Sequence, residues 1–191
     1  MTARTHDAFA FASLVTAAVL FPPEKITLLT LGISIVANNI GGLFPDLDQA
    51  TNRLWDLLPG DQSTGKLFRK LFIAHRTITH SVLGVGIVYF LGMSFFAKLL
   101  NPSFVDGMIV FWSFMIGYLS HLGADALTKE GLPLFFPISW KFGIPPIKAL
   151  RVTTGSWAEN FIVFPLVSVY LVWFIWWYQE AVISLFRTIH R

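Results

Sequence analysis

The sequence predicts an all-α integral membrane protein with about five transmembrane helices. Of its 191 residues, 54% are hydrophobic and only 13% are charged, about half the charged fraction of a soluble domain. A helix needs about 20 apolar residues to cross the hydrocarbon core of a bilayer. The chain offers five stretches without Asp, Glu, Lys or Arg, namely Ala8 to Pro23, Ile26 to Pro45, Thr77 to Ala97, Gly107 to Ala124 and Asn160 to Gln179.

The predicted helices are about 7–21, 26–44, 77–99, 104–127 and 159–186, in a single membrane-embedded domain over residues 1–191. The first is short for a full crossing, so whether it spans completely stays open. After it, Pro22 and Pro23 cannot continue a helix and reverse the chain. Residues 1–7 lack the basic cluster of a signal peptide, so the first helix is expected to remain in the protein.

The distribution of basic residues predicts the orientation in the membrane. Under the five-helix prediction, ten Lys and Arg residues share a face with the N-terminus, and four, namely Lys25, Lys98, Arg187 and Arg191, lie on the opposite face. The positive-inside rule then places the N-terminus and the two long connections in the cytoplasm and the C-terminus outside a bacterial inner membrane. The basic residues form no continuous stripe, so no nucleic-acid partner is expected.

Histidine and aspartate side chains concentrate at the ends of the first four predicted helices. Each has a simpler interpretation alone: a solvated terminal residue, a turn with an Asx cap, or a hydrogen bond at a helix end. The topology nevertheless brings them all to one face, where unpaired ionisable groups at membrane depth are costly. We therefore predict that these residues bind metal: His6, Asp46, Asp48, His75, His80, His121 and Asp125.

The donor set predicts which metals would bind. The chain has no cysteine, so only nitrogen and oxygen ligands are available. Seven such donors exceed the needs of one four-coordinate ion and suit two ions bridged by a carboxylate. Zinc fits this set best, with manganese or iron as alternatives.

Four blocks of the sequence carry a family resemblance. They are the early His6, Pro45 to Asp48, His75 to Ser81, and Gly117 to Thr128 followed by Gly131 to Leu134. Together they resemble the bacterial inner-membrane metal-dependent hydrolases of the LexA-binding YdjM-like group, although Thr77 stands where that family usually has glycine. The His-x-x-x-Asp block from His121 to Asp125 is also similar, over a short stretch, to one in zinc-dependent phospholipase C enzymes.

The resemblance and the ligand set together predict a membrane-embedded metal-dependent hydrolase that cleaves a phosphoester of a membrane lipid or similar amphiphile with a metal-bound hydroxide. Asp48, Arg76 and Glu159 are the predicted catalytic residues. Asp48 is also a predicted ligand, and Arg76 either holds a phosphate or is a positive flank of the third helix. Glu159 either orients water or supplies a further ligand, unless it is only a favourable charge at a helix N-terminus.

Residues 128–154 combine prolines and aromatic side chains with Lys141 and Lys148. Such a segment suits a lip in the headgroup layer, and the alternative is a lid packed on the helices.

Two other functions stay open from the sequence. In one, the protein is a metal-stabilised anchor or regulator that binds a cytoplasmic partner such as a repressor. In the other, the ionisable residues line a cation or proton pathway. The sequence disfavours the transporter, because it predicts no second cluster near the opposite face.

Overall fold

The computed structural model describes residues 1–47 and 78–190, and helices account for most of them. The described residues form six α-helices: α1 (Ala3–Leu20), α2 (Leu28–Leu43), α3 (Val82–Leu99), α4 (Gly107–Ala126), α5 (Phe164–Trp177) and α6 (Gln179–Arg187). Short 3-10 helices cover Phe44–Asp46 and Lys148–Leu150, and a π-helical turn, Glu159–Val163, leads into α5. The predicted all-α class is confirmed.

Within the described ranges, four segments are long and apolar enough to cross a membrane. They are Leu28–Asp46, Val82–Leu99, Gly107–Ala126 and Glu159–Trp177. The remaining predicted span, α1, is helical but is not among these four, and it packs against α2, α4 and α5.

Capping side chains set where the spanning helices begin. Ser81 accepts a hydrogen bond from the backbone N–H of Gly84, so α3 begins at Val82 rather than near the predicted 77. Asp106 accepts bonds from Met108 and Ile109, so α4 begins at Gly107 rather than 104.

The predicted helix over 159–186 is divided in two. Its apolar run ends at Tyr178, whose backbone (φ −103°, ψ 27°) leaves the helical region before the polar pair Gln179 and Glu180 begins α6. After α6, Ile189–His190 pairs in parallel with Ile26–Thr27, two residues that precede α2. The last described residues therefore lie beside the turn between α1 and α2.

Helix α4 lies at the centre of the bundle, in contact with α1, α2 and α3. Its contact with α2 is close at two glycines. A Cβ atom on Gly41 would collide with the carbonyl oxygen of Phe114, and one on Gly117 would collide with the carbonyl oxygen of Asn38. Small residues allow this approach between membrane helices, where packing and hydrogen bonds drive association. Asn38 adds one such bond to the carbonyl oxygen of Ser113.

The alternating directions of the helices bring the starts of α1, α3 and α5 together with the ends of α2 and α4. We call this the site end of the bundle. Contacts across it join Thr2 to Glu159 and His121 to Gly42. Residues far apart in the sequence thus meet at one end of the spans.

The glycine contact generates a stability prediction. Replacing Gly41 with alanine should lower the free energy of unfolding by ~1–3 kcal/mol, because the new methyl group overpacks the α2–α4 contact. The matched control is Gly32→Ala on the same helix, where a Cβ meets nothing within 4 Å. Thermal unfolding in detergent should show a lower Tm for Gly41→Ala and no loss for Gly32→Ala. Equal Tm values would contradict the close packing.

Candidate metal centre

His121 and Asp125 lie one turn apart on α4, and both are buried. The Nδ1 atom of His121 is 2.7 Å from the carbonyl oxygen of Gly42. A carbonyl oxygen can only accept a hydrogen bond, so Nδ1 carries the proton and the neutral ring has its lone pair on Nε2. Histidine ligands of metals are commonly held by such a bond on the other ring nitrogen.

His80 and Asp46 face this pair from two other segments. His80 lies just before α3 and is fully buried, and its Nδ1 is 3.1 Å from the hydroxyl of Thr79. Asp46 ends the short 3-10 helix that follows α2, and its side chain is 19% exposed. Asp46 is thus less buried than Asp125, which is fully buried.

Two carboxylates and two imidazoles alternate at similar spacings. His80 Nε2 is 3.5 Å from Asp46 Oδ1 and 3.7 Å from Asp125 Oδ2. His121 Nε2 is 3.7 Å from an oxygen of each of the same two carboxylates. These separations exceed the ~2.7–3.2 Å of an N–H···O hydrogen bond. They are close to the ~3.3 Å between two ligands of a tetrahedral ion with bonds of ~2.0–2.1 Å.

His6 extends the cluster on the other side of Asp125. Its ring stacks on that of His121, with centroids 3.8 Å apart and an interplanar angle of 7°. Its Nε2 atom is 3.3 Å from Asp125 Oδ1, an oxygen that also accepts a 2.6 Å bond from the Met1 ammonium. Asp125 therefore presents one oxygen towards His6 and the other towards His80 and His121.

The residues present fit a divalent cation. The described chain contains two groups whose donor atoms lie within 4.8 Å of one another: His6, His121 and Asp125, and Asp46, His80 and His121. Among the described residues, both ring nitrogens of His6 and the Nε2 of His121 are buried without a hydrogen-bond partner. Buried polar atoms without such a partner are costly, and a cation at the cluster would satisfy the lone pair of His121 Nε2 and that of one ring nitrogen of His6.

The structure brings together five of the seven predicted ligands, namely His6, Asp46, His80, His121 and Asp125. Asp48, His75 and Arg76 lie outside the described residues.

Glu159, which was predicted to act in catalysis, is in neither metal-capable group. Its carboxylate is fully buried and accepts hydrogen bonds from the backbone N–H and hydroxyl of Thr2, at 2.6 and 2.7 Å, and from the N–H of Gly155, at 2.7 Å. Thr2 is the residue before α1, and His6 lies in the first turns of that helix. Glu159 thus fixes the start of the helix that carries His6.

Two contributors to the site did not follow from the sequence, the Thr2 partner of Glu159 and the Gly42 carbonyl that orients His121. A backbone carbonyl has no signature of its own in the sequence. The only available signal was the set of small residues on α2 and α4, Gly41, Gly42 and Gly117, which is typical of close helix packing.

The fold and this cluster define a class, a helical multi-pass membrane protein with buried histidine and aspartate side chains able to hold a metal ion. The family model described as "YdjM inner membrane protein" matches residues 1–183. The chain therefore belongs to the YdjM inner membrane protein family, and the predicted family is confirmed.

Individual relatives agree with this assignment. The chain is 27% identical to "Uncharacterized protein YvsG" of Bacillus subtilis over 85% of its own length and 87% of that protein. It is 32% identical to "Inner membrane protein YdjM" of Escherichia coli over 70% of its own length and 61% of the relative. The Shigella flexneri protein of the same name matches with the same identity and the same shares of both chains. No solved structure gives a significant match.

The contacts of Glu159 generate a second prediction. In Glu159→Gln, the new amide nitrogen cannot accept a hydrogen bond, so a buried donor loses its partner. The expected loss is ~1–3 kcal/mol in the free energy of unfolding. Thr2→Ala should lose less, because the backbone N–H bond remains.

The matched control is Glu24→Gln, since Glu24 is exposed in the turn between α1 and α2. Thermal unfolding in detergent should rank Glu24→Gln with the parent protein, Thr2→Ala below it and Glu159→Gln lowest. If Glu159→Gln unfolded at the same temperature as Glu24→Gln, Glu159 would not anchor α1.

Proposed function

We propose that this protein is a membrane-embedded metal-dependent hydrolase that cleaves a phosphoester of a membrane lipid or a similar amphiphile. The observation that carries the proposal is the alternating set of two imidazoles and two carboxylates at spacings of 3.5–3.7 Å. Such a set suits zinc, with manganese or iron as alternatives.

The residues would hold two ions in the following way. His80, His121, Asp46 and one oxygen of Asp125 would hold the first. His6 and the other oxygen of Asp125 would contribute to the second, together with the predicted ligands Asp48 and His75. When bound, a pair of divalent cations activates water and neutralises the charge that develops on the oxygens of a phosphoester. The proposal therefore needs no nucleophile from the protein.

The other side chains hold and orient this set. The hydrogen bond to Gly42 keeps the Nε2 of His121 free of a proton, and the Thr79 hydroxyl lies against the opposite ring nitrogen of His80. Glu159 acts through Thr2 and the start of α1, which is a positioning role. In this proposal Asp48 is a ligand and Arg76 holds the phosphate.

The location of the cluster supports a lipid or amphiphilic substrate. Four of its five donor residues, Asp46, His80, His121 and Asp125, lie at or next to the ends of segments long and apolar enough to cross a membrane, the depth at which lipid headgroups lie. We also propose that the site end faces the cytoplasm and the C-terminus faces outwards, on the basis of the predicted excess of basic residues at the site end.

A second candidate is a metal-stabilised anchor that binds a cytoplasmic partner. The burial of the cluster favours it, since His6, His80, His121 and Asp125 are at most 3% exposed. A metal that joins four separate chain segments would stabilise the fold even without catalysis.

Metal content and phosphoester hydrolysis, measured on the same samples, test the proposal. Protein purified without chelator should hold about two divalent ions by elemental analysis. It should also hydrolyse phosphatidic acid or phosphatidylglycerol in mixed micelles, followed by ³¹P NMR. His121→Ala and Asp125→Asn should lose metal, and activity should fall by more than the ~10–100-fold typical of changes around the ligands.

The exposed Glu24→Gln variant is the control and should keep both properties. Circular dichroism establishes that each variant is folded. Full metal content and activity in both ligand variants would reject the site. Bound metal in the parent protein without hydrolysis of either lipid, or of the soluble ester bis(p-nitrophenyl) phosphate, would favour the anchor.

A further inference from the structure

Residues 133–150, which we call the lip, present apolar side chains to the surroundings at the site end. In the part of the chain that the structure describes, six apolar side chains of the lip are each half to two thirds exposed, namely Phe135, Ile138, Trp140, Ile144, Ile147 and Leu150. Exposed apolar groups in this number, close together in the chain, mark an interaction surface.

The backbone of the lip is held firmly although its side chains are exposed. Leu132, which directly precedes the lip, and Phe142, which lies within it, exchange two backbone hydrogen bonds of 2.8 Å. The guanidinium of Arg151 donates to the carbonyl oxygens of Gly143, Pro145 and Pro146. Phe135 and Trp140 stack with their ring centroids 5.7 Å apart. The exposed side chains are therefore presented by an ordered scaffold.

Two backbone bonds fix the depth of the lip relative to the spanning helices. The N–H of Val82, the first residue of α3, donates to the carbonyl oxygen of Leu134. The N–H of Ile144 donates to the carbonyl oxygen of Ala126, the last residue of α4. Val82 and Leu83 at the start of α3 are themselves more than half exposed. The apolar surface of the lip thus continues the outer surface of a membrane-spanning helix.

The charge of the segment indicates the sign of the surface that it meets. Between residues 128 and 154 there are four basic residues and one acidic residue, Glu130. Arg151 is used within the segment, whereas Lys141 and Lys148 are exposed beside the apolar side chains. Apolar and aromatic groups flanked by lysines are typical of segments that enter the boundary between headgroups and acyl chains of an anionic leaflet.

We propose that the lip inserts into the headgroup–acyl boundary of the leaflet at the site end and binds anionic phospholipid there. Its apolar side chains enter the acyl region, and Lys141 and Lys148 contact anionic headgroups. Insertion of the lip into the leaflet does not depend on whether the metal centre hydrolyses a lipid.

Spin labels can test this directly, because the chain has no cysteine and single substitutions give one label each. We would label Ile138→Cys and Ile147→Cys in nanodiscs of phosphatidylcholine with one quarter phosphatidylglycerol. Both labels should be more accessible to oxygen than to a water-soluble nickel chelate. The control label at Ser103→Cys, in the exposed turn between α3 and α4, should be the more accessible to nickel.

The lysines are tested in the same way. The label in the Ile147→Cys protein should lie deeper in discs that contain phosphatidylglycerol than in discs of phosphatidylcholine alone. Adding Lys141→Gln and Lys148→Gln should abolish this difference. A surface lysine contributes about a fivefold preference for an anionic leaflet. Free nickel access at residues 138 and 147 would show the lip in water and overturn the proposal. Labels shielded from both reagents would show that protein, a second copy or another part of this chain, covers the lip, and would equally overturn it.

Discussion

Compensation of buried charge at the site end is the constraint on which the rest of this structure depends. Asp46 and Asp125 lie at the ends of spanning segments, where an unpaired ionised side chain costs several kcal/mol after relaxation. Three imidazoles surround them, and these come from α1, from His80 two residues before α3, and from α4. Every helix that carries one of these groups must therefore have one of its two ends at the same depth in the membrane. The cap at Ser81, which sets where α3 begins at the site end, helps to determine this register.

The α2–α4 contact determines how closely these groups can meet. Because Gly41 and Gly117 have no side chain, each helix lies against the backbone of the other. This approach places the carbonyl of Gly42 within hydrogen-bonding distance of His121, which fixes the tautomer of that histidine. Helix packing and ligand chemistry are thus coupled through a single backbone oxygen. Glu159 has the corresponding role for α1, because its carboxylate holds Thr2, which lies four residues before the metal-capable His6.

Much of this arrangement could be predicted from the sequence. The uncharged stretches identify the four spans, and alternating helix directions require that His6, Asp46, His80 and His121 share one end. The spacing of His121 and Asp125 places both on one helical face. These predictions depend on periodicity and chain direction, which are local properties of a sequence.

Other features depend on contacts between distant residues. The pairing of Glu159 with Thr2 spans 157 positions, and the partner of His121 is a backbone atom that any residue would supply. The break at Tyr178 lies next to the end of the uncharged stretch at Gln179, whereas the predicted helix continues past that stretch to residue 186. The catalytic role predicted for Glu159 from the sequence is untested, and its buried hydrogen bonds support the positioning role proposed for it instead.

X-ray absorption at the zinc edge of purified, zinc-loaded protein tests most directly whether these segments form one metal centre. The account predicts a shell of nitrogen and oxygen atoms at ~2.0–2.1 Å, with the outer-sphere scattering of imidazole rings and no sulfur. Protein that retained no zinc, or zinc surrounded only by water oxygens without imidazole scattering, would contradict it.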